Sequence, residues 1–290
     1  MSVHSHLLNL QHMVNHLLFT SQDETVMEQV MNERNCSFYD LISCCKPFKD
    51  EQVFVNESIL DDNSLPSLTP RYYSVLNDCY QANGSLSEET SKFKLCFTEH
   101  KFKNKYGEAR NGVGTRFLST NAVLAQTEFQ VKVGDHCLKL PQMTEHTRLL
   151  FICMGTGVVP FIGMLERIQG LGLPFSKIEM VFGVRNDEKA FLYKDFLVAF
   201  FKKHAANATL HLACSRSLSN NDLVPIRTSK GYLTGVLGNL HLEDKPDQHI
   251  LICGNKNALE KSVFEGLKIS EDVKGRMKKE GRLMMELWSE

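Results

Sequence analysis

The chain has 290 residues, of which 42% are hydrophobic and 23% are charged, and its formal net charge is −1. This length is sufficient for about two domains with separate cores, and the nearly neutral charge gives no electrostatic basis for binding nucleic acid or an anionic membrane. The nine cysteines form no CxxC pair. We therefore expect reduced thiols in a cytoplasmic protein, with no metal site, no signal peptide and no membrane anchor.

The N-terminal residues 1–66 are predicted to be helical. Leucine and methionine recur at near-helical spacing between positions 7 and 18. A second helix is predicted from Gln22 to Glu33, with Ser21 as its N-cap. Two prolines, at positions 66 and 70, mark the end of this region.

The next segment, residues 71–140, has the character of antiparallel β-structure. The stretches RYYSVL, KFKLCFTEHKF and EFQVKV alternate or carry β-favoured residues, and Gly, Asn and Ser separate them. On a strand, Arg71 and Tyr73 would share one face, and Tyr72 and Ser74 the other. Taken alone, RYYS is equally typical of an ordinary half-buried strand.

From Arg148 onward, predicted strands alternate with predicted helices. LLFICM, KIEMVFGV, ATLHLAC and HILICGN are the candidate strands, and most of them precede a helical stretch. This repetition predicts an open parallel sheet with helices on both faces. Ligands of such sheets bind at the carboxyl ends of the strands, where most of the motifs below fall.

Two glycine motifs are typical of diphosphate sites. Gly155, Thr156 and Gly157 follow the apolar run LLFICM and precede a helix-like run from Phe161 to Ile168. Such glycines let the backbone approach a diphosphate, and free N–H groups at a helix start favour negative charge. GVGT at 112–115 similarly precedes FLSTNAVL. The alternatives are a tight strand-to-helix turn and a plain helix N-terminus.

Three further features lie toward the C-terminus. A serine, an arginine, a lysine and a tyrosine in the segment 215–233 are suited to binding a phosphomonoester, although a solvated basic loop is the alternative. Cys253 ends the predicted strand HILICGN, where a cysteine usually fills the core. Trp288, the only tryptophan, is the third residue from the end and would either pack into the core or cover a ligand.

Taken together, the ordered motifs RYYS, GVGT, GTGVVPF, FGVR with FLY, SR with K-x-Y, CG and a terminal WS resemble the ferredoxin–NADP reductase family. More narrowly, they resemble its diflavin reductase branch, over about residues 66 to 290. The resemblance implies a fold of class α/β plus β. A helical connecting-type region would span 1–66, part of an antiparallel FAD-binding β-barrel 67–142, and a doubly wound NADP-binding domain 143–290.

The resemblance also implies cofactors, FAD and NADPH, and roles for individual residues. It assigns FAD binding to the first two motifs, through Arg71, Tyr73, Ser74, Gly112, Val113 and Thr115. It assigns NADPH binding to the later motifs, through Gly155, Thr156, Gly157, Arg185, Ser215, Arg216, Lys230 and Tyr232. The catalytic residues would be Ser74, Cys253, Glu286 and Trp288, with Trp288 also covering the flavin ring.

Four departures from the family pattern bear on hydride transfer. Met154 stands where the family usually has proline before GTG, and Asn255 replaces the carboxylate of CGD. Glu286 replaces the aspartate of D-x-W-S and is one methylene longer. Asn77 and Asp78 stand where small hydroxyl residues are usual. A small change of reach can misplace a reacting group enough to slow a reaction.

The expected activity is that of an NADPH-dependent flavoprotein oxidoreductase. Hydride would pass from NADPH to FAD, and electrons would then pass to an external acceptor, either a small molecule or a protein such as one carrying FMN. The sequence lacks a flavodoxin-like segment and the first barrel strands. Two alternatives therefore stay open, an NADP(H)-binding regulatory module with weak FAD binding and a truncated, non-catalytic form.

Overall fold

The structure, a computed structural model, describes residues 72–76, 94–103, 109–124, 137–186, 190–217, 226–240, 242 and 244–288. The predicted helices within 1–66 and the predicted strand EFQVKV lie outside these residues. The described residues divide between two compact units. The first contains Tyr72, 101–103 and 109–114, and the second contains the others.

The first unit contains one antiparallel strand pair. Strand β1, Lys101–Lys103, pairs with β2, Ala109–Asn111, and Phe102 lies opposite Arg110. Helix α1, Val113–Leu124, follows at once and confirms the helix predicted over FLSTNAVL.

Only part of the predicted antiparallel structure is regular among the described residues. From RYYSVL, Val75 makes an isolated antiparallel bridge to Leu95, in the second unit. Residues 72–74 form no strand, so the predicted alternation of faces along RYYS does not apply to them. The predicted FAD-binding barrel and the predicted domain boundaries stay predictions.

The second unit is built on a six-stranded parallel sheet with the strand order β6-β5-β4-β3-β7-β8. Its strands are β3 Arg148–Met154, β4 Lys177–Asn186, β5 Ala208–Ser217, β6 Ile226–Lys230, β7 Gln248–Asn255 and β8 Leu283–Trp288. A 3₁₀ turn, Gly155–Val158, follows β3. The helices are α2 Val159–Leu171, α3 Lys194–Lys203, α4 Leu233–Leu237, α5 Lys256–Leu267 and α6 Glu271–Lys279.

The apolar strands predicted from the sequence are buried on both faces of this sheet. One face packs with α2 and α3, and Phe151 stacks on Phe161 with ring centroids 4.7 Å apart. The other face packs with α4, α5 and α6, where Ile152 and Leu259 belong to one cluster. Each such buried side chain contributes about 1.5–3 kcal/mol. The doubly wound parallel sheet predicted from Arg148 onward is therefore confirmed.

Strand β8 forms one edge of the sheet, and a buried arginine fixes its start. The Arg282 side chain donates to Asp244 Oδ1 at 3.0 Å, to Glu280 Oε2 at 2.7 Å and to the Lys245 carbonyl at 3.1 Å. Arg276 also donates to Asp244, and these arginine hydrogen bonds lower the pKa of the Asp244 carboxyl. The network fixes the strand that ends in Glu286 and Trp288.

Within the described part of the chain, no helix has both the length and the apolar character needed to cross a membrane.

Candidate functional site

The switch point of the parallel sheet in the second unit lies between β3 and β7, at the carboxyl ends of these two strands. From β3 the chain continues to β4 on one side of the sheet, whereas β7 lies on the other side and continues to β8. The direction of winding therefore reverses between β3 and β7. In open parallel sheets this switch point is where ligands bind.

The glycine turn after β3 brings two backbones into close approach. Gly155 has a φ of 54°, in the left-handed region that favours glycine. A Cβ on Gly157 would lie 2.2 Å from the carbonyl oxygen of Cys253, at the end of β7. Only glycine fits at position 157, so the turn packs backbone against backbone with the end of β7. Diphosphate binding by this turn stays a prediction.

A polar cluster lies at the ends of β7 and β8. The Ser74 hydroxyl donates to Glu286 Oε1 at 2.9 Å, although 212 positions separate the two residues. Cys253 and Glu286 are register partners in β7 and β8. The structure thus brings together three of the four residues predicted to be catalytic. The other carboxylate oxygen, Glu286 Oε2, is buried and has no hydrogen-bond partner among the described residues.

The thiols near this cluster are buried and protonated. Burial, and then the neighbouring Glu286 carboxylate, raise the pKa of the Cys253 thiol well above its ordinary value. Burial, and then Cys253, likewise raise the pKa of Cys153, which is its register partner in β3. Cys253 therefore carries an S–H group rather than a thiolate, and because it is fully buried it is suited to packing and weak hydrogen bonding rather than nucleophilic attack.

The residues predicted to bind a phosphomonoester lie at two neighbouring strand ends. Ser215 and Arg216 are exposed near the end of β5, and Lys230 ends β6 as the register partner of Cys214. Tyr232 follows and is 78% exposed. The structure therefore brings these four side chains to one margin of the sheet, and residues 226–230 form a strand rather than the solvated loop considered as the alternative.

A register shift lies beside this basic margin. Val184 pairs with Cys214, whereas Asn186 pairs with Ser217, so two residues of β5 lie opposite Arg185 of β4. Those two residues are Ser215 and Arg216, and Ser215 donates to the Val184 carbonyl at 3.4 Å. Irregularities of this kind redirect side chains next to functional sites.

The residues predicted to bind FAD are described only in part. Arg71 lies outside the described residues. Tyr73 packs edge-to-face against Phe97, with ring centroids 6.1 Å apart, and Thr115 Oγ1 accepts from the His100 N–H at 3.1 Å. Gly112 and Val113 belong to the first unit, at the start of α1. Their roles in FAD binding stay predictions.

Asn255, one of the departures from the family pattern, has a structural role of its own, and its register partner is Trp288. Asn255 is the N-cap of α5, and its side-chain oxygen accepts from the Ala258 N–H at 3.3 Å. An amide serves this capping role as well as a carboxylate does. Trp288, the register partner of Asn255 at the end of β8, is 36% exposed. The Trp288 side chain is therefore not fully buried in the core.

Sequence analysis missed a group of polar residues inside the predicted strands. Glu179, His211 and Arg227 lie side by side on β4, β5 and β6, on the face toward α4. The available signal was a charged or imidazole side chain within an apolar run, as in KIEMVF and ATLHLAC. In the part of the chain that the structure describes, no group of three or more His, Cys, Asp or Glu side chains is arranged to hold a metal ion.

The chain is similar in sequence to one domain family and to several NADPH-dependent oxidoreductases. Residues 151–264 match the family described as oxidoreductase NAD-binding domain. The chain is 24% identical over 247 residues to the NADPH–cytochrome P450 reductase of Mus musculus, covering 78% of this chain and 34% of that protein. The enzyme of the same name from Drosophila melanogaster is 25% identical over 218 residues, covering 73% of this chain and 30% of that protein.

A third relative matches a longer part of the chain. The NADPH oxidoreductase A of Dictyostelium discoideum is 22% identical over 264 residues, covering 86% of this chain and 38% of that protein. The chain thus spans about a third of the length of the curated relatives it matches. These findings confirm the predicted resemblance to the ferredoxin–NADP reductase family and its diflavin branch.

Proposed function

From this resemblance to the diflavin branch of the ferredoxin–NADP reductase family, we propose that the chain is an NADPH-dependent, FAD-containing reductase. It would accept reducing equivalents from NADPH and deliver electrons to an external acceptor. The matches to the NAD-binding family and to NADPH-dependent reductases imply NADPH and FAD as its cofactors.

The observation that carries this proposal is the cluster of Ser74, Cys253 and Glu286 beside the glycine turn. Cys253 and Glu286 are register partners two residues before the ends of β7 and β8, and Ser74 donates a hydrogen bond of 2.9 Å to Glu286. A cluster at a switch point, next to a turn that accepts a diphosphate, can orient a group attached to that diphosphate. This arrangement fits a nicotinamide dinucleotide.

The residues have separable tasks in this proposal. When bound, the nicotinamide and the flavin supply the hydride chemistry, and the protein supplies position and electrostatics. Gly157 lets the turn approach the backbone of Cys253, and Arg216 and Lys230 would provide positive charge for a 2′-phosphate. Ser74 holds Glu286 in place, and Glu286 Oε2 remains available as an acceptor.

Flavin content and turnover together test the proposal. We expect the purified chain to be yellow, to release FAD on denaturation and to reduce ferricyanide with NADPH. A colourless protein that binds NADPH without turnover would contradict the reductase and would instead support an NADP(H)-binding module. Binding of neither cofactor would contradict both.

Replacement of Arg216 should remove the preference for NADPH. A charge-assisted hydrogen bond to a phosphate contributes about 1.5–3 kcal/mol, so Arg216→Ala is expected to reduce the NADPH/NADH affinity ratio about tenfold or more. Calorimetric titration of both nucleotides measures this ratio. Lys202→Ala, an exposed change at the end of α3, is the control and should leave the ratio unchanged. An unchanged affinity ratio in Arg216→Ala would contradict the assignment of Arg216 to the 2′-phosphate.

Trp288 should oppose nicotinamide binding. If Trp288 covers the flavin ring, stacking of this aromatic pair contributes about 0.5–1.5 kcal/mol beyond burial of its area. Nicotinamide must displace the Trp288 ring, so its binding is weakened by the free energy of that displacement. We therefore expect Trp288→Ala to bind both nucleotides more tightly and to discriminate less against NADH. In the wild-type protein, Trp288 fluorescence should be quenched by FAD and recover on titration with NADP⁺. Unquenched fluorescence together with unchanged affinities would show that Trp288 has no such gating role.

A further inference from the structure

A cleft opens on the face of the sheet that carries α4, over β4, β5 and β6. We call it the edge cleft, and it is defined by Glu179, His211, Arg227, Ser229, Tyr232 and Leu240. Its volume is about 890 Å³, which falls within the range of pockets that hold small organic ligands.

The floor of the edge cleft is polar where the rest of the same sheet face is apolar. His211 of β5 is the register partner of Val181 in β4 and of Arg227 in β6, so the three side chains share one face. On this face, Val181 and Ala213 pack into the core with α4 and α5. The fold therefore does not require an imidazole and a guanidinium here.

His211 has an unpaired polar atom. The residue is only 7% exposed, and its Nε2 has no hydrogen-bond partner among the described residues. Glu179 Oε1 lies 3.8 Å away, beyond hydrogen-bonding distance. Because an unsatisfied buried polar group is unfavourable, Nε2 favours an acceptor that enters through the cleft.

The cleft carries a net positive charge. Glu179 is paired with Lys177 at 3.0 Å, so these two charges compensate each other. Burial alone would raise the pKa of the Glu179 carboxyl. The neighbouring His211 and Lys177 side chains lower it by more, so the pKa of Glu179 lies below its usual range. Arg227 and Lys230 also line the cleft and form no ion pair with any described residue. The unpaired charge of the cleft is therefore cationic.

We propose that the edge cleft binds a small organic anion that carries a phosphate or carboxylate group. The planar guanidinium of Arg227 would hold the anionic group with two parallel hydrogen bonds, and His211 Nε2–H would donate a third from the floor. Val236 and Leu240 line the cleft and would contact the apolar part of the ligand. Arg216 does not line the cleft, which separates this site from the proposed 2′-phosphate contact, although Lys230 and Tyr232 border both.

Titration with phenyl phosphate and benzoate, followed by NMR of the histidine side chains, tests this proposal. We expect at least one probe to shift the His211 imidazole resonances, which the His211→Asn variant assigns. The probe that binds more tightly identifies the anionic group. Phenyl phosphate should also bind more tightly than inorganic phosphate if the apolar lining contributes.

Two arginine variants make the test specific. Arg227→Gln is an exposed change, and it should weaken probe binding about tenfold or more by removing a charge-assisted contact. Arg216→Gln should leave probe binding at His211 unchanged even where it removes the NADPH preference, so failure of one site is distinguishable from failure of the other. The proposal is overturned if no probe shifts His211, or if Arg227→Gln binds as tightly as wild type with its fold intact by circular dichroism.

Discussion

Gly157→Ala is expected to destabilise the second unit and to weaken nucleotide binding together. The added Cβ would lie 2.2 Å from the carbonyl oxygen of Cys253, 2.7 Å from its carbonyl carbon and 3.0 Å from the Gly254 Cα. These are backbone atoms of a strand paired on both sides, so they cannot yield as the end of a flexible side chain would. Overpacking typically costs about 1–3 kcal/mol and occasionally more, and we expect at least the upper part of this range. Urea unfolding and NADP⁺ titration measure the two effects.

Gly170→Ala is the matched control, because the chemical change is identical. Gly170 lies inside α2, and a Cβ there would meet nothing within 4 Å. Alanine in a helix interior is favoured over glycine by about 0.5–1 kcal/mol, so this variant should be slightly more stable than wild type. Equal stability and equal NADP⁺ affinity in Gly157→Ala and wild type would disprove the close approach between the turn and β7.

The sequence was most informative where burial is complete. The four apolar runs after Arg148 became β3, β4, β5 and β7, because strands covered on both faces read as continuous hydrophobic stretches. Strands β6 and β8 were not predicted. Both are edge strands, and β6 consists of IRTSK, whose polar residues gave the pattern of a loop. What makes IRTSK a strand is the neighbouring β5, which local sequence does not reveal.

The candidate site was predictable as a set of residues but not as a geometry. The glycine turn could be located because glycine is required where backbones approach closely, and Gly157 meets that requirement. The hydrogen bond from Ser74 to Glu286 spans 212 positions. The family resemblance suggested that both residues are catalytic but did not predict this contact. The edge cleft carried no motif. It depends on the register that places His211 beside Arg227, and strand register cannot be read from separate strands.

The double substitution Ser74→Ala with Cys253→Ala should slow reduction of the bound flavin by NADPH while changing NADPH affinity little. The Ser74 hydroxyl donates a hydrogen bond of 2.9 Å to the part-buried Glu286 carboxylate. Hydrogen bonds to charged groups contribute about 1.5–3 kcal/mol. Loss of this contact is expected to lower the reduction rate about tenfold or more, since the Glu286 carboxylate would no longer be held in place near the ends of β7 and β8. Stopped-flow absorbance of the flavin measures the rate, and equilibrium titration measures the affinity.

Cys153→Ala separates a role in hydride transfer from a role in packing. Cys153 is as fully buried as Cys253 and is its register partner, but β8, which carries Glu286, pairs with β7 rather than with β3. Both variants remove one sulfur atom from the core, and the double variant also loses the hydrogen bond from Ser74. The double variant should therefore lose more stability, and it alone should slow reduction. Equal slowing by Cys153→Ala would mean that the effect comes from packing. A double variant that reduces its flavin at the wild-type rate would exclude Ser74 and Cys253 from hydride transfer, because the cluster would then be only a structural contact between β7, β8 and the segment that carries Ser74.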